Sequence, residues 1–395
     1  MTQGRQDVPD ALMSLTDGTV RVGKTHNSVL WVEIDVPADV TPGVHSGAVD
    51  FYAGERRVDT VPLALNVQAS VPRKETGMEL DFWQSWSAVT QYHDLEPFSE
   101  PWWKMVKAYL SLLAESGQDV VQVGRQYVTY RRVAEGEYQF DFTNFDRYVR
   151  LCRNLGIDGP IEYLAMMNTT GPTKVFFRDE TGSPVSRDAE PGDAIYDEVW
   201  SAFLRSLVRH CEKHGWKERL RIFIADRPKQ EHVDRFIHAT SLVREADKSI
   251  QIVATFDDAA VAESLRAAVD RMVVPLFPPD PGMKQFIAQR LAEEAGIGCY
   301  FSPERAGDAF EGTMYDVAID AQRRGFEGLL LSNYARWPDD LAESKTGYET
   351  SEKIRAFVYP SINGPRSSVR LRRLMLGLQA SARKQYASAQ DGQGE

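Results

Sequence analysis

Arg221-Ile222-Phe223-Ile224-Ala225, the break Asp226-Arg227-Pro228, the longer run His232–Glu245, and then Ile250-Gln251-Ile252-Val253-Ala254 together decide the fold. The two short runs are mostly apolar and rich in β-branched residues, so they read as buried strands. The segment between them has helical length. Downstream the alternation continues: helix Ala259–Ala268, strand Met272–Leu276, helix Lys284–Ala295, strand Gly298–Phe301, helix Met314–Arg324 and strand Gly328–Ser332. Upstream it runs back through helix Tyr196–His214, where Val199, Trp200, Phe203, Leu207 and Cys211 recur at helical spacing. Strands Ile161–Ala165, Asp119–Val123 and Glu79–Trp83 follow in reverse order, separated by helices Phe145–Leu155 and Trp102–Ala114. A last helix, Ser367–Lys384, carries Leu374 and Leu378 on one face. Eight strand–helix units in series predict an α/β protein with a closed (β/α)8 TIM-type barrel. The alternative is an open doubly wound sheet.

Before Met78 the period changes. Leu30, Val32, Ile34 and Val36 alternate with Trp31, Glu33 and Asp35, and a turn cluster, Pro37–Gly43, follows. Gly47–Tyr52 and Val58–Val67 are further strand-like runs, the second with Pro62 inside it, which suits an edge. The chain is thus divided into a small β-sandwich over residues 1–73, a barrel domain over 74–386 and a frayed tail over 387–395. The widest gap between barrel strands, Asn168–Asp193, is polar and contains Gly and Pro, as expected of a substrate lid.

The chain has 395 residues, 43% hydrophobic and 26% charged, which excludes a disordered protein. Met1–Leu30 holds neither a basic n-region nor an apolar h-region, and a cytoplasmic location is expected. No run approaches the roughly 18 apolar residues of a membrane span. Cys152, Cys211 and Cys299 are odd in number and far apart, so no disulfide framework is expected. A net charge of −11 repels phosphate backbones and argues against nucleic acid. No glycine-rich phosphate loop and no Gly-x-Ser-x-Gly elbow is present, and no cofactor is expected. His210 and His214 share a helix face at a spacing that can hold zinc. Their helix enters strand four from the barrel bottom, so they read as a solvated helix end, and no metal is assigned.

In a barrel, catalytic groups come from the C-terminal ends of the strands. Strand one delivers Asp81, Trp83 and Gln84, with His93 soon after; strand two delivers Tyr127 beside Arg125 and Gln126. Strand three carries Glu162, and strand four ends at Asp226. After strand five come Asp257 and Asp258, one or the other read as a helix cap ahead of Ala259. Strand seven leads to Tyr300 and Glu304, and strand eight to Asn333, Tyr334 and Trp337. Carboxylates interleaved with Trp and Tyr suit carbohydrate, because aromatic faces stack on sugar rings while carboxylates accept from hydroxyls. Asp81, Trp83, Gln84, Tyr334 and Trp337 are expected to line one cavity, since strands one and eight adjoin in a closed barrel.

Leu80-Asp81-Phe82-Trp83-Gln84 with Tyr92-His93, Phe140–Asp146, Asp226-Arg227-Pro228, and Val358-Tyr359-Pro360 with Ser367-Ser368-Val369-Arg370 occur here in that order. This pattern resembles glycoside hydrolase family 123. The resemblance implies a β-N-acetylgalactosaminidase-like enzyme with a substrate-assisted retaining mechanism, in which the sugar's own acetamido oxygen attacks the anomeric carbon. It further implies an Asp-Glu-Arg-Pro stretch after strand four, the Asp orienting the acetamide and the Glu protonating the leaving oxygen. Anchored on Arg227-Pro228, the acid position holds Asp226 and the orienting position holds Ala225. Alanine accepts no hydrogen bond, which points to a sugar without the 2-acetamido group. The reading is therefore a glycosidase with Asp226 as general acid and Glu304 as the first choice for a second carboxylate. Asp81, Trp83, Gln84, His93, Tyr127, Glu162, Asn333, Tyr334 and Trp337 would bind the carbohydrate. The alternatives are a non-catalytic carbohydrate-binding relative that lost its dyad, and a sugar isomerase or lyase on the same barrel.

Overall fold

The computed structural model describes residues 11–12, 15, 18–20, 29–37, 39–67, 78–293, 296–301, 313–337 and 356–391. The chain divides into two compact units: Leu12–Thr76 with Gln379–Glu395, and Met1–Ala11 with Gly77–Leu378. In the first, β1 (Gly43–Ala53) and β2 (Arg56–Val67) form an antiparallel hairpin turned at Gly54, whose φ of +62° suits glycine. Both expected strands lie in it. Residues 30–36 join no ladder, and their apolar side chains are exposed. Among the described residues this unit shows one two-stranded sheet, and the rest of the expected sandwich is not shown. Period-two alternation sets which side chains share a face, but it supplies no pairing partner.

All eight expected barrel strands form in the second unit. They are β3 (Glu79–Phe82), β4 (Val121–Val123), β7 (Ile161–Leu164), β10 (Leu220–Asp226), β11 (Gln251–Thr255), β12 (Arg271–Pro275), β13 (Ile297–Phe301) and β14 (Gly328–Leu331). They pair in parallel in the order β3-β14-β13-β12-β11-β10-β7-β4. The seam between β3 and β4 is made differently. The Leu80 carbonyl accepts from the Asp119 N–H at 2.9 Å, and the Asp119 carboxylate accepts from the Leu80 N–H at 2.8 Å. Side-chain oxygens of Gln118 and Gln122 accept from the Phe82 and Gln84 N–H groups at 2.6 and 3.1 Å. Side chains here replace a ladder, satisfy the edge donors and close the barrel.

Nine helices are described: α1 (Trp86–Tyr92), α2 (Glu100–Ser116), α3 (Thr143–Asn154), α4 (Ala194–Lys213), α5 (Val233–Ala246), α6 (Ala259–Ser264), α7 (Pro281–Ala292), α8 (Met314–Arg323) and α9 (Val369–Asp391). Their ends follow local chemistry. Ser99 accepts from the Trp102 N–H at the start of α2, and Gly117 ends it at φ +102°. Asp280 caps α7, which has Pro281 at its first position. Strands β5 (Thr129–Ala134), β6 (Glu137–Asp141), β8 (Lys174–Arg178) and β9 (Pro184–Asp188) form a four-stranded sheet in the order β6-β5-β8-β9. The segment read as a lid therefore carries β8 and β9. A hairpin of β15 (Val358–Ser361) and β16 (Gly364–Ser367) precedes α9.

The barrel interior is layered. At the bottom, Arg221 makes a two-pronged bond to Glu79 at 2.9 and 3.1 Å and reaches Glu162 at 2.7 Å. Arg271 lies 3.4 Å from Glu79. A side chain at Gly328 would displace the Arg271 guanidinium, so glycine lets that group sit against the strand. Above these charges Phe223, Val253, Val273 and Leu330 form an apolar plug, with Trp83, Leu164 and Tyr300 packed on it. The plug separates the buried charges from the mouth and confines chemistry to the strand ends.

Candidate active site

Strand β10 does not alternate to its end. Arg221, Ile222 and Phe223 face Gln251, Ile252 and Val253 in register, but Asp226 then pairs with Thr255. One residue is thus inserted in β10, a β-bulge of the kind that re-aims a side chain beside an active site. Ile224 and Ala225 both sink completely into the core that joins sheet to helices, and Asp226 emerges beside Thr255. Ala225 is therefore not a vacant acetamide-binding position. It is a packing residue, and the argument from its missing hydrogen bond is corrected on that ground.

Asp226 is held from several sides. Its carboxylate accepts from the Thr255 hydroxyl at 2.6 Å and from Arg227 Nε and Nη2 at 3.0 and 2.7 Å. To fold back on its own neighbour, Arg227 adopts φ +50°, a region unusual for a side-chain-bearing residue and found where function demands it. The Arg227 N–H donates to Thr255 Oγ1 at 3.0 Å, and the Thr169 hydroxyl donates to the Asp226 carbonyl at 2.6 Å. The carboxylate is about one-third exposed.

Asp257 and Asp258 divide their labour. Asp258 alone caps α6, accepting from the Ala260 and Val261 N–H groups at 2.9 and 3.1 Å. Asp257 instead lines a cavity of about 320 Å³ with Leu276, Phe277, Met283 and Tyr300. Burial raises its carboxyl above the usual range; Arg227 opposes this and Asp226 adds to it. Burial likewise raises the Tyr300 phenol, and the two carboxylates contribute. Of the two aspartates expected to supply the cap, Asp258 is the cap, and Asp257 is left to the cavity. Sequence reasoning missed Asp257 because either aspartate of an adjacent pair can cap, and only the backbone path decides which one does. A second cavity of about 280 Å³ is lined by Gln84, Trp86, Arg125, Gln126, Tyr127 and Ala165. It opens at the ends of β3, β4 and β7. Strand β10, carrying Asp226, runs between β7 and β11 and hence between the two cavities.

Of the expected binding residues, Gln84 and Tyr127 line the second cavity, and Trp83 packs edge-on to Phe223 at 5.6 Å between ring centres. The rest lie elsewhere. Tyr334 is buried and donates to the Tyr109 carbonyl at 2.9 Å, while Trp337 donates to the Val358 carbonyl at 2.8 Å. His93 contacts the Tyr109 hydroxyl at 3.1 Å in the same aromatic layer, and burial lowers its pKa. Asn333 is half-buried, its carbonyl accepting from the Phe357 N–H at 3.3 Å. Glu304 lies outside the described residues. The single five-residue cavity is therefore corrected: Asp81, Trp83, Gln84, Tyr334 and Trp337 do not line one space.

Asp81 and Glu162 are interior residues below the plug, not mouth residues. Asp81 accepts from Gln118 and Gln122 at 2.8 Å. Burial, and then the charge of Glu162, push its carboxyl up to about 8. An aspartate in an unfolded chain titrates near 3.9, so its stability contribution is fully present below about pH 4 and lost as pH rises towards 8. Asp81→Asn is expected to flatten the pH dependence of stability across that window, as measured by urea unfolding at pH 5 and pH 8. Parallel slopes for wild type and variant would refute the assignment.

His210 Nε2 lies 2.6 Å and His214 Nε2 3.7 Å from the Asp146 carboxylate, which also pairs with Arg150 at 3.0 Å. The rings stack on Phe142 and Trp216. The three cysteines are free and buried. No helix among the described residues is long and apolar enough to cross a membrane.

A barrel closed around a buried charge layer, with carboxyls and aromatic rings at its C-terminal mouth, is the architecture of an enzyme whose site lies at the strand ends. Residues 83–385 match the family described as glycoside hydrolase 123, catalytic domain. The chain belongs to glycoside hydrolase family 123. It is similar over 89% of its length to a family 123 glycoside hydrolase from Clostridium perfringens studied for glycolipid glycan hydrolysis, at 18% identity, 67% coverage of that chain and a TM-score of 0.72. An endo-β-1,4-mannanase from Thermotoga petrophila matches at 12% identity and a TM-score of 0.46, covering 78% of this chain and 77% of that one. A family 39 glycoside hydrolase from Bacteroides cellulosilyticus matches at 11% identity and a TM-score of 0.44, with 86% and 70% covered. No curated protein matches the sequence.

Proposed function

We propose that this glycoside hydrolase removes a terminal sugar of the β-N-acetylgalactosaminide type from a glycan, with Asp226 and Asp257 as its working carboxyls. The observation that carries the reading is the bulge that brings Asp226 to the mouth, within electrostatic reach of a second carboxyl whose proton is held by its surroundings. Sequence alone gives Asp226 the part of proton donor. Its three donors, two of them from a guanidinium, fix the orientation of the carboxylate and suit it to accept from an acetamide N–H. Asp257, with its raised pKa, suits protonation of the leaving oxygen. The acetamido oxygen then closes on the anomeric carbon as the C–O bond breaks, and water opens the resulting ring with Asp257 acting as base.

The apolar walls of the Asp257 cavity, Leu276, Phe277 and Met283, suit the carbon faces of a pyranose ring. The relative from Clostridium perfringens, named for glycolipid glycan hydrolysis, supports a glycan substrate. The test compares nitrophenyl β-N-acetylgalactosaminide with nitrophenyl β-galactoside. Faster turnover of the acetamido sugar is expected. Preference for the galactoside would replace the substrate-assisted step by direct attack from Asp226. Turnover of neither would favour a carbohydrate-binding relative.

A further inference from the structure

We propose that the glycan accepted at this mouth carries an oxyanion, a sulfate ester or a carboxylate, and that Arg125 receives it in the second cavity. The choice of a glycan rests on the glycosidase reading; the choice of charge rests on the cavity alone.

Arg125 is a cation at a cavity of an acidic chain of net charge −11, yet it forms no ion pair among the described residues. Its guanidinium carbon lies over the face of the Phe176 ring, 3.2 Å from the ring centre. Stacking covers the face of the group and leaves its planar N–H edge available, the geometry that grips a carboxylate or sulfate through two parallel bonds. Partial burial lowers the Arg125 pKa without bringing it near neutrality, so the charge is permanent.

The rest of the lining offers donors and few acceptors. Tyr127 is 2% exposed and its hydroxyl is sealed in the core, so the residue gives the cavity a wall and no polar group. Gln84 Oε1 is taken by the Tyr148 hydroxyl at 2.9 Å, which leaves its amide N–H₂ as the free end. Gln122 is fully engaged, accepting from the Gln84 N–H and donating to Asp81. The carbonyls of Gly124 and Arg125 are taken by the N–H groups of Tyr127 and Val128. Gly124 has no Cβ to collide with the Gln126 amide, which folds against it in the lining. No carboxylate lines this cavity. A neutral sugar hydroxyl both gives and accepts, and apart from the Gln126 amide oxygen the lining side chains give it little to donate to. An oxyanion only accepts, and so fits.

The cavity is tied to the chemistry. Leu164 and Ala165 line it, the Ala165 N–H donates to the Phe223 carbonyl at 3.0 Å, and Thr169 further along the same segment holds the Asp226 backbone. An anchored anion would therefore help fix the glycan in register with Asp226.

The experiment titrates the full chain with N-acetylgalactosamine, its 4-sulfate, its 6-sulfate and glucuronic acid, reading affinity by calorimetry. At least one acidic sugar is expected to bind roughly tenfold tighter than the neutral one, and the sulfate and uronate arms separate the two sources of charge. Raising salt should weaken the acidic sugar selectively. Arg125→Gln should reduce its affinity to the level of the neutral sugar, and Arg125→Lys should retain part of the advantage. Equal affinities in wild type, or a preference that survives Arg125→Gln, would overturn the proposal. If Arg125→Gln does not fold, competition by inorganic sulfate in the wild type decides: displacement of the acidic sugar supports the site, and no displacement removes it. Turnover of the neutral nitrophenyl glycoside is scored separately. A charge preference without turnover removes the enzyme reading alone, and turnover without preference removes the anion site alone.

Discussion

Asp257→Asn is expected to lower kcat on a natural glycan by about 10²- to 10⁴-fold, the range that a positioned proton donor supplies. On a nitrophenyl glycoside the loss should be much smaller, because that leaving group departs with little help. The pH profile carries the sign. A general acid works in its protonated form, so wild-type activity falls as pH rises through the Asp257 pKa. Burial raises that pKa, with Arg227 opposing and Asp226 adding. Asp257→Asn should erase this alkaline limb, whereas Asp226→Asn should lower the whole profile and shift the remaining limb down in pH, since one raising charge is gone. If the limb instead disappears in Asp226→Asn and persists in Asp257→Asn, the roles are reversed, and Asp226 is the donor that sequence alone suggests.

The barrel was legible because its strands are buried on both faces and bounded by polar breaks; every predicted barrel strand lies within two residues of an observed one at each end. The family's signature residues were legible as well. What sequence could not supply was depth and direction. Asp81 and Asp226 both stand on barrel strands, yet one is sealed beneath Phe223, Val253, Val273 and Leu330 while the other reaches the mouth. Local sequence does not state how many residues of a strand lie below the plug. The bulge in β10 is equally silent, since Ile224-Ala225-Asp226 is compatible with plain alternation. Tyr334 and Trp337 lie buried for a related reason. Aromatic rings just past a strand end can turn inward to the mouth or outward to the helices, and here Tyr109 and Val358 offer them partners on the outside. The hairpin of β5 and β6 escaped notice because its strands are mostly exposed and polar, with no apolar run to mark them.

Arg221→Met is expected to destabilise the fold by about 3–5 kcal/mol, the cost of removing one member of a buried ionic cluster. Arg221 is 4% exposed and serves two carboxylates, Glu79 and Glu162. Those two respond differently. Burial alone would raise Glu79, but Arg221 and Arg271 outweigh it and hold the carboxyl below its usual range. Glu162 remains raised by burial even with Arg221 beside it. Without Arg221 the Glu162 pKa climbs further, and the residue takes up a proton at neutral pH to avoid an unpaired buried charge. A carboxyl with a raised pKa contributes stability that is present in acid and lost as pH rises through its folded value. The difference between Arg221→Met and wild type should therefore widen from pH 5 to pH 8 in urea unfolding. Adding Glu162→Gln to Arg221→Met should recover much of the loss at pH 8, because an amide carries no charge to bury, while Arg271 still serves Glu79 at 3.4 Å. Were the double variant no more stable than Arg221→Met at pH 8, the cost would lie in lost packing of the long arginine side chain and not in the stranded charge.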